Sequence, residues 1–287
     1  MYYLEGLQNN LRNILLLIKS HGLEVPTSMP ELKKQYLAAL SQVQPMVQRS
    51  QEARAKVVED GAIERHLMDF YVIDSVLNDK DQKNIFQSEP SLSEVRNQRR
   101  SRLHGAIDRL RTDIPQYAAL FDLVVSDIIS PDSRRAGGGT TSAAVSVIWA
   151  NVRDKWSDVD LLELLIHEHT HNLMFLDELC HSHYNDYDIV ANRDYYAKSA
   201  ILSEKRPLDK ALHSLVVATE VYLARQNYHY LNQSIPVLHP TDAKLREQSL
   251  SCVESIKEID RATHVLTDRG RYLVDKCKQC LSENFCG

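Results

Sequence analysis

The sequence predicts an α+β protein, predominantly helical, with a small β-sheet packed on one central helix. Three observations carry that expectation. Leucines near the start recur at three- and four-residue spacing, the mark of an amphipathic helix. Two β-branched runs of strand length, 123–129 and 144–149, stand in the middle of the chain. Directly after them an apolar run, Leu161-Leu162-Glu163-Leu164-Leu165-Ile166, closes on His167-Glu168-His169-Thr170-His171.

The elements follow in chain order. Leu4, Leu7, Leu11, Leu15 and Ile18 form one stripe, so the first helix ends near Gly22. A loop with Pro26 and Pro30 precedes a polar helix from Glu31 to about Asp60, interrupted at Pro45. A further helical run covers Ala62 to Leu77, and Ser88-Glu89-Pro90-Ser91 reads as a linker. Arg96, Arg99, Arg100, Arg102, Arg109 and Arg111 crowd the next helix, either as a solvated face or as a docking patch for an acidic peptide. Between the two strands, Gly137-Gly138-Gly139 lacks the Gly-Lys-Ser/Thr ending of a phosphate loop and reads as a flexible connection or lid. Ser157 and Asp160 resemble an N-cap and an acidic first turn, placing the next helix at Asp158 to Cys180. Leu208, Leu212, Leu215 and Thr219 mark another helix to Arg225, and the tail from Asp242 is helical and polar. The expected division is a helical N-terminal region, 1–90, engaging a peptide, and a metal-dependent region, 91–287.

Composition narrows the class. At 43% hydrophobic and 25% charged, the chain has the make-up of an ordinary soluble globular protein. A net charge of −5 gives no overall attraction for nucleic acid or an anionic membrane. The apolar run Ile14–Ile18 is too short for a membrane span or a signal-peptide core, so a cytoplasmic location is expected. Of the five cysteines, Cys277, Cys280 and Cys286 could form a zinc or redox site. A single C-x-x-C at the chain end favours reduced bystander thiols.

The chemistry concentrates at residues 167–171, an H-E-x-x-H signature. On a helix His167 and His171 lie four residues apart and can share one cation, with Glu168 beside whatever that cation binds. A small sheet followed by such a helix suggests a zincin-like catalytic region. A third ligand is needed, and His213 and Glu220, two turns apart on one helix, are the best two. His169 points about 160° away from the pair. His181 and His183 fall at the helix end, where imidazolium is favoured, and His229 and His239 read as loop residues.

The span from about Val147 to Arg225 resembles the α-ketoglutarate-dependent HExxH-type peptide β-hydroxylases of ribosomally made peptide pathways. The resemblance rests on Val147-Ile148-Trp149, then Leu165-Ile166-His167-Glu168-His169-Thr170-His171-Asn172-Leu173. Tyr195-Tyr196, Arg206-Pro207-Leu208 and Leu212-His213 follow in order. Two positions depart from the family pattern. Ala197-Lys198-Ser199-Ala200 replaces a Pro-Trp-Arg-like stretch, and Ser214 stands where a glycine is usual. The resemblance implies Fe(II) held by His167, His171 and His213, with α-ketoglutarate and O2 as co-substrates and Arg206 gripping the distal carboxylate. It implies hydroxylation at a side-chain β-carbon of a precursor peptide, with Tyr195 and Tyr196 lining the pocket. Glu168 would then orient a ligand, a water or the substrate. The competing expectation is a zinc metallopeptidase with Glu220 as third ligand, 49 residues after His171, and Glu168 as the base for a zinc-bound water. A non-catalytic protein that binds a precursor peptide is the remaining alternative.

Overall fold

The helix bearing the histidines is apolar on nearly every side, and a helix of that kind is stable only when surrounded. The computed structural model describes residues 1–73, 84–87, 92–202, 204–228, 231 and 237–283. Its helices are α1 (Tyr2–Ser20), α2 (Met29–Val43), α3 (Gly61–Met68), α4 (Ser93–Asp113), α5 (Pro115–Val124), α6 (Asp158–Cys180), α7 (Tyr187–Ala191), α8 (Leu208–Asn227), α9 (Asp242–Thr263) and α10 (Asp268–Ser282). The strands are β1 (Lys56–Val57), β2 (Asp127–Ile129), β3 (Gly138–Gly139), β4 (Val147–Ala150), β5 (Ala197–Lys198) and β6 (Lys205–Arg206). The histidine helix is α6, and α1, α4, α5, α8 and the edge of the sheet all pack on it.

That helix begins where Ser157 and Asp160 close a reciprocal capping box, each side chain accepting from the other's backbone N–H. Its bounds are those the sequence predicts. The main sheet has the order β1-β2-β4-β3, with β1, β2 and β4 parallel and β3 antiparallel at the edge. Every residue of β2 and β4 is buried, which explains why both read as continuous apolar runs instead of alternating ones. A separate ladder, β5–β6, pairs Ala197 with Arg206.

Several sequence expectations need correction. The polar helix does not continue to Asp60: α2 stops at Val43, because Gln44 precedes Pro45 and is driven out of the helical region, to φ −134° and ψ 69°. Downstream, Lys56–Val57 is a strand. Leu123 and Val124 end α5, and only Asp127–Ile129 of that β-branched run is strand. The run from Ala62 is helical to Met68 and continues as a 3-10 turn, Asp69–Tyr71. Its expected end at Leu77 and the linker at 88–91 lie outside the described residues.

No separate core belongs to the described part of residues 1–90. Leu4, Ile14, Leu17 and Ile18 of α1 share one apolar cluster with Leu165 of α6, Leu212 of α8 and Leu273 of α10. The arginine-rich helix α4 is neither a solvated face nor an open docking patch. Arg96 and Arg100 pair with Glu64, Arg99 with Asp132, Arg109 with Asp113, and Arg111 with Asp122. Arg102 donates to the carbonyls of Arg153 and Trp156. These contacts tie α4 to α3 and to the approach to α6. Among the described residues no helix is long and apolar enough to cross a membrane.

Candidate metal centre

On α6 the four-residue spacing brings the Nε2 atoms of His167 and His171 to 3.2 Å from one another. Metal–nitrogen bonds of roughly 2.0–2.1 Å to two such atoms subtend about 100° at a shared ion, between octahedral and tetrahedral angles. His167, Glu168 and His171 together can offer donor atoms to one cation. The donor set therefore fits a divalent transition metal. Burial pushes both imidazoles well below their ordinary pKa, which keeps them neutral, the form that ligates. On His171 that effect is reinforced by His167, His213, Lys210 and Arg206, in that order.

Glu168 is buried, with Oε1 4.0 Å from Nε2 of His167. The Thr140 hydroxyl donates to its Oε2 at 3.2 Å. Burial raises its carboxyl pKa to about 8, against the smaller opposing effect of Thr140. The glycine run 137–139 is not a flexible lid. Gly138 and Gly139 form the edge strand against β4, and a Cβ on Gly138 would lie 2.8 Å from Leu164 Cδ1 and 2.9 Å from Glu168 Oε1. Cβ atoms on Gly137 and Gly139 would run into Trp156 and Trp149. The absence of side chains is thus what lets this strand lie directly on α6.

Of the two expected third ligands, Glu220 is turned elsewhere. Its oxygens accept from the backbone N–H of Tyr3 at 2.7 Å and Leu4 at 3.1 Å, and it pairs with the Met1 amino group at 3.3 Å. Fully buried on α8, it anchors the start of α1. His213 packs against His171, its Nδ1 3.1 Å from Nδ1 of His171, but it stands outside the group of His167, Glu168 and His171 whose donor atoms lie within 4.8 Å of one another. The two rings stack, and Phe175 packs against both. No hydrogen bond to a described residue engages Nε2 of His213.

Arg206 is half-buried on β6, held by the β5–β6 ladder on the His171 side of the centre. The two departures from the family pattern meet physically: Ser214 Oγ accepts from the N–H of Ala200 at 3.0 Å and donates to the Ala211 carbonyl. Tyr195 and Tyr196 are half-buried at and just beyond a 3-10 turn, with no ring contact to the histidines. His169 is a core residue, bonded to the Tyr117 hydroxyl at 2.9 Å. His181 caps the end of α6, and His183 pairs with Asp177 at 2.8 Å, a structural role in both cases. His229 and Cys286 lie outside the described residues, while Cys180, Cys252, Cys277 and Cys280 are free thiols. Cys252 and Cys277 are buried in the core.

The residue that sequence reasoning missed is His239. Its Nε2 lies 2.8 Å from Nδ1 of His167, and its Nδ1 lies 3.0 Å from Oε2 of Glu163. Glu163 is fully buried and doubly bonded by Arg225, at 2.6 and 2.9 Å. The one available signal was Glu163 itself. An acid inside an apolar helical run, one turn before a ligand histidine, requires a partner.

No protein-family model matches the chain, and no curated protein matches it. The resemblance to the peptide β-hydroxylases therefore stands on the short motifs themselves.

Proposed function

We propose that the chain is a mononuclear metal enzyme, an Fe(II)- and α-ketoglutarate-dependent hydroxylase of a precursor-peptide side-chain β-carbon, working in the cytoplasm. The observation that supports it is the facing imidazole pair of His167 and His171, with Glu168 beside it and His213 against His171. Neutral imidazoles suit ferrous iron, which when bound would supply oxygen activation coupled to decarboxylation of the co-substrate. His167 and His171 would hold the ion with Glu168 beside them, and His213 would complete the set only by turning its Nε2 toward that group. Arg206, as the resemblance implies, would grip the distal carboxylate of the co-substrate bidentately. The Gly138–Gly139 strand and Leu164 exclude water from one side, and Glu168, held by Thr140, orients the bound water or the substrate.

A zinc peptidase is the second reading, favoured by the position of Glu168 next to His167 Nε2, where a base for an attacking water belongs. In that reading Glu220, the expected third ligand, would have to leave the backbone N–H groups of Tyr3 and Leu4 to reach the ion. The test is anaerobic reconstitution with Fe(II), followed by α-ketoglutarate, O2 and candidate peptide. The expected result is succinate, together with a peptide heavier by one oxygen atom, both lost in His167→Ala and His213→Ala. Absence of succinate, with zinc-dependent peptide cleavage that requires Glu168, would transfer the protein to the hydrolases.

A further inference from the structure

His239 reaches the centre from a segment that is neither helix nor strand, and that segment is pinned at both ends. On one side the N–H groups of Val237 and Leu238 donate to Oδ1 of Asp160 at 2.7 and 3.0 Å. On the other, Arg225 donates to the Pro240 carbonyl and to Asp242, both at 2.8 Å. Between the pins the His239 ring stacks on His167 at a centroid distance of 5.0 Å and is 5% exposed. Asp160, Glu163 and His167 follow one another at spacings of three and four on α6, so they share a face. The helix that presents the metal ligand therefore also anchors the segment and supplies the acid behind it.

Hydrogen-bond polarity then runs in one direction. Glu163, gripped by Arg225, is a carboxylate and can only accept, so Nδ1 of His239 carries the proton. A neutral imidazole with Nδ1 protonated is an acceptor at Nε2. With His239 neutral, Nδ1 of His167 donates across the 2.8 Å contact, which leaves the lone pair on its Nε2, the atom that faces His171.

We propose that His239, oriented by Glu163 and Arg225, is a positioning residue that fixes His167 in the tautomer whose Nε2 takes the metal. This rests on the reading of His167 and His171 as ligands. Two measurements on the full chain separate the two ideas. In the metal-free protein, nitrogen-15 NMR of the histidines should show His167 as the Nδ1–H tautomer. His239→Phe, which keeps a stacked ring and removes the acceptor, should move it toward Nε2–H. Co(II) titration against a competing chelator should show about 10–100-fold weaker binding in His239→Phe, the range typical of lost outer-shell partners. His239→Gln, which restores an acceptor oxygen, should recover part of that loss. A His239→Phe protein with the wild-type tautomer and wild-type Co(II) affinity overturns the proposal. A wild-type protein that takes up no Co(II) defeats the ligand reading instead, and the tautomer experiment still decides the role of His239.

Discussion

Gly138→Ala isolates what the edge strand does at the metal centre. Gly138 has an ordinary negative φ, so alanine meets no backbone obstacle there. The obstacle is space. The new Cβ would stand 2.8 Å from Leu164 Cδ1, 2.9 Å from Glu168 Oε1 and 3.0 Å from the Trp149 carbonyl. The first of these is about 0.7 Å short of an ordinary carbon contact of roughly 3.5 Å. Leu164 and Glu168 could swing away, but the Trp149 oxygen belongs to the backbone of β4 and cannot. Overpacking of this kind costs about 1–3 kcal/mol. For a chain of this size that corresponds to a fall in Tm of roughly 2–10 °C. The assay is thermal unfolding followed by circular dichroism, with Co(II) affinity measured in parallel. Stability should fall; His167 and His171 are not among the displaced atoms but Glu168 is, so any parallel loss of Co(II) affinity reports the share of Glu168 in the site. Gly105→Ala is the control: it lies inside α4 with open space at its Cβ, and alanine there should stabilise by up to about 1 kcal/mol. A Gly138→Ala protein that melts with the wild type would refute the claim that the glycine strand is packed directly on α6.

Two further predictions concern groups remote from the metal. Asp177 accepts from Asn13, His183 and Arg269, joining α1, α6 and α10. The hydrogen bonds from His183 and Arg269 hold its carboxyl far below the usual range despite burial. Asp177→Ala leaves His183 and the Asn13 amide without that acceptor while Arg269 keeps Glu5, and should cost about 1–3 kcal/mol in urea unfolding at neutral pH; a loss well under 1 kcal/mol would contradict the network's role. Lys33 is buried under the end of α5, where it donates to the carbonyls of Asp122 and Val125. Burial lowers its pKa from 10.5 to about 8, while Asp122 and Asp127 oppose the shift. Between pH 8 and 10.5 the unfolded chain binds the proton that the folded chain has released, so stability from this group rises with pH. The wild type should gain up to ~3 kcal/mol on Lys33→Met across that window, and parallel pH profiles for the two proteins would show that Lys33 stays charged.

The elements that sequence reasoning located well are those whose signals are local. Both ends of α6 follow from a capping box and an apolar run, α1 from a leucine stripe, and α8 from a periodic face between Pro207 and the polar residues after Arg225. The H-E-x-x-H pair is likewise local, since four residues on a helix settle which side chains face one another. Most of the failures are long-range. The charges on α4 look solvated from the sequence because their acids, Glu64 and Asp132, lie some thirty residues away in the chain and meet them only after folding. Glu220 looks like a ligand on helical spacing alone, but the backbone at the start of α1 claims it. His239 has no periodicity to betray it, and its place is set by Asp160 and Arg225, on two different helices. Pro45 was read as an interruption when it is a full stop, and the strand that follows is too short to announce itself.

The 3.2 Å separation of the two Nε2 atoms has a thermodynamic consequence. Small zinc modules fold only as they capture their ion, so their binding free energy is their folding free energy. Here the two imidazoles already face one another on a helix buried among four others, and ordering them is part of forming the core. On the proposed reading, metal capture and folding would therefore be nearly separate equilibria. Removing the ion should leave the chain folded, and adding it should stabilise the chain only by mass action, about 4 kcal/mol at a thousandfold excess over Kd. If the pair takes an ion as proposed, the protein can stay folded and intact until iron or zinc reaches it.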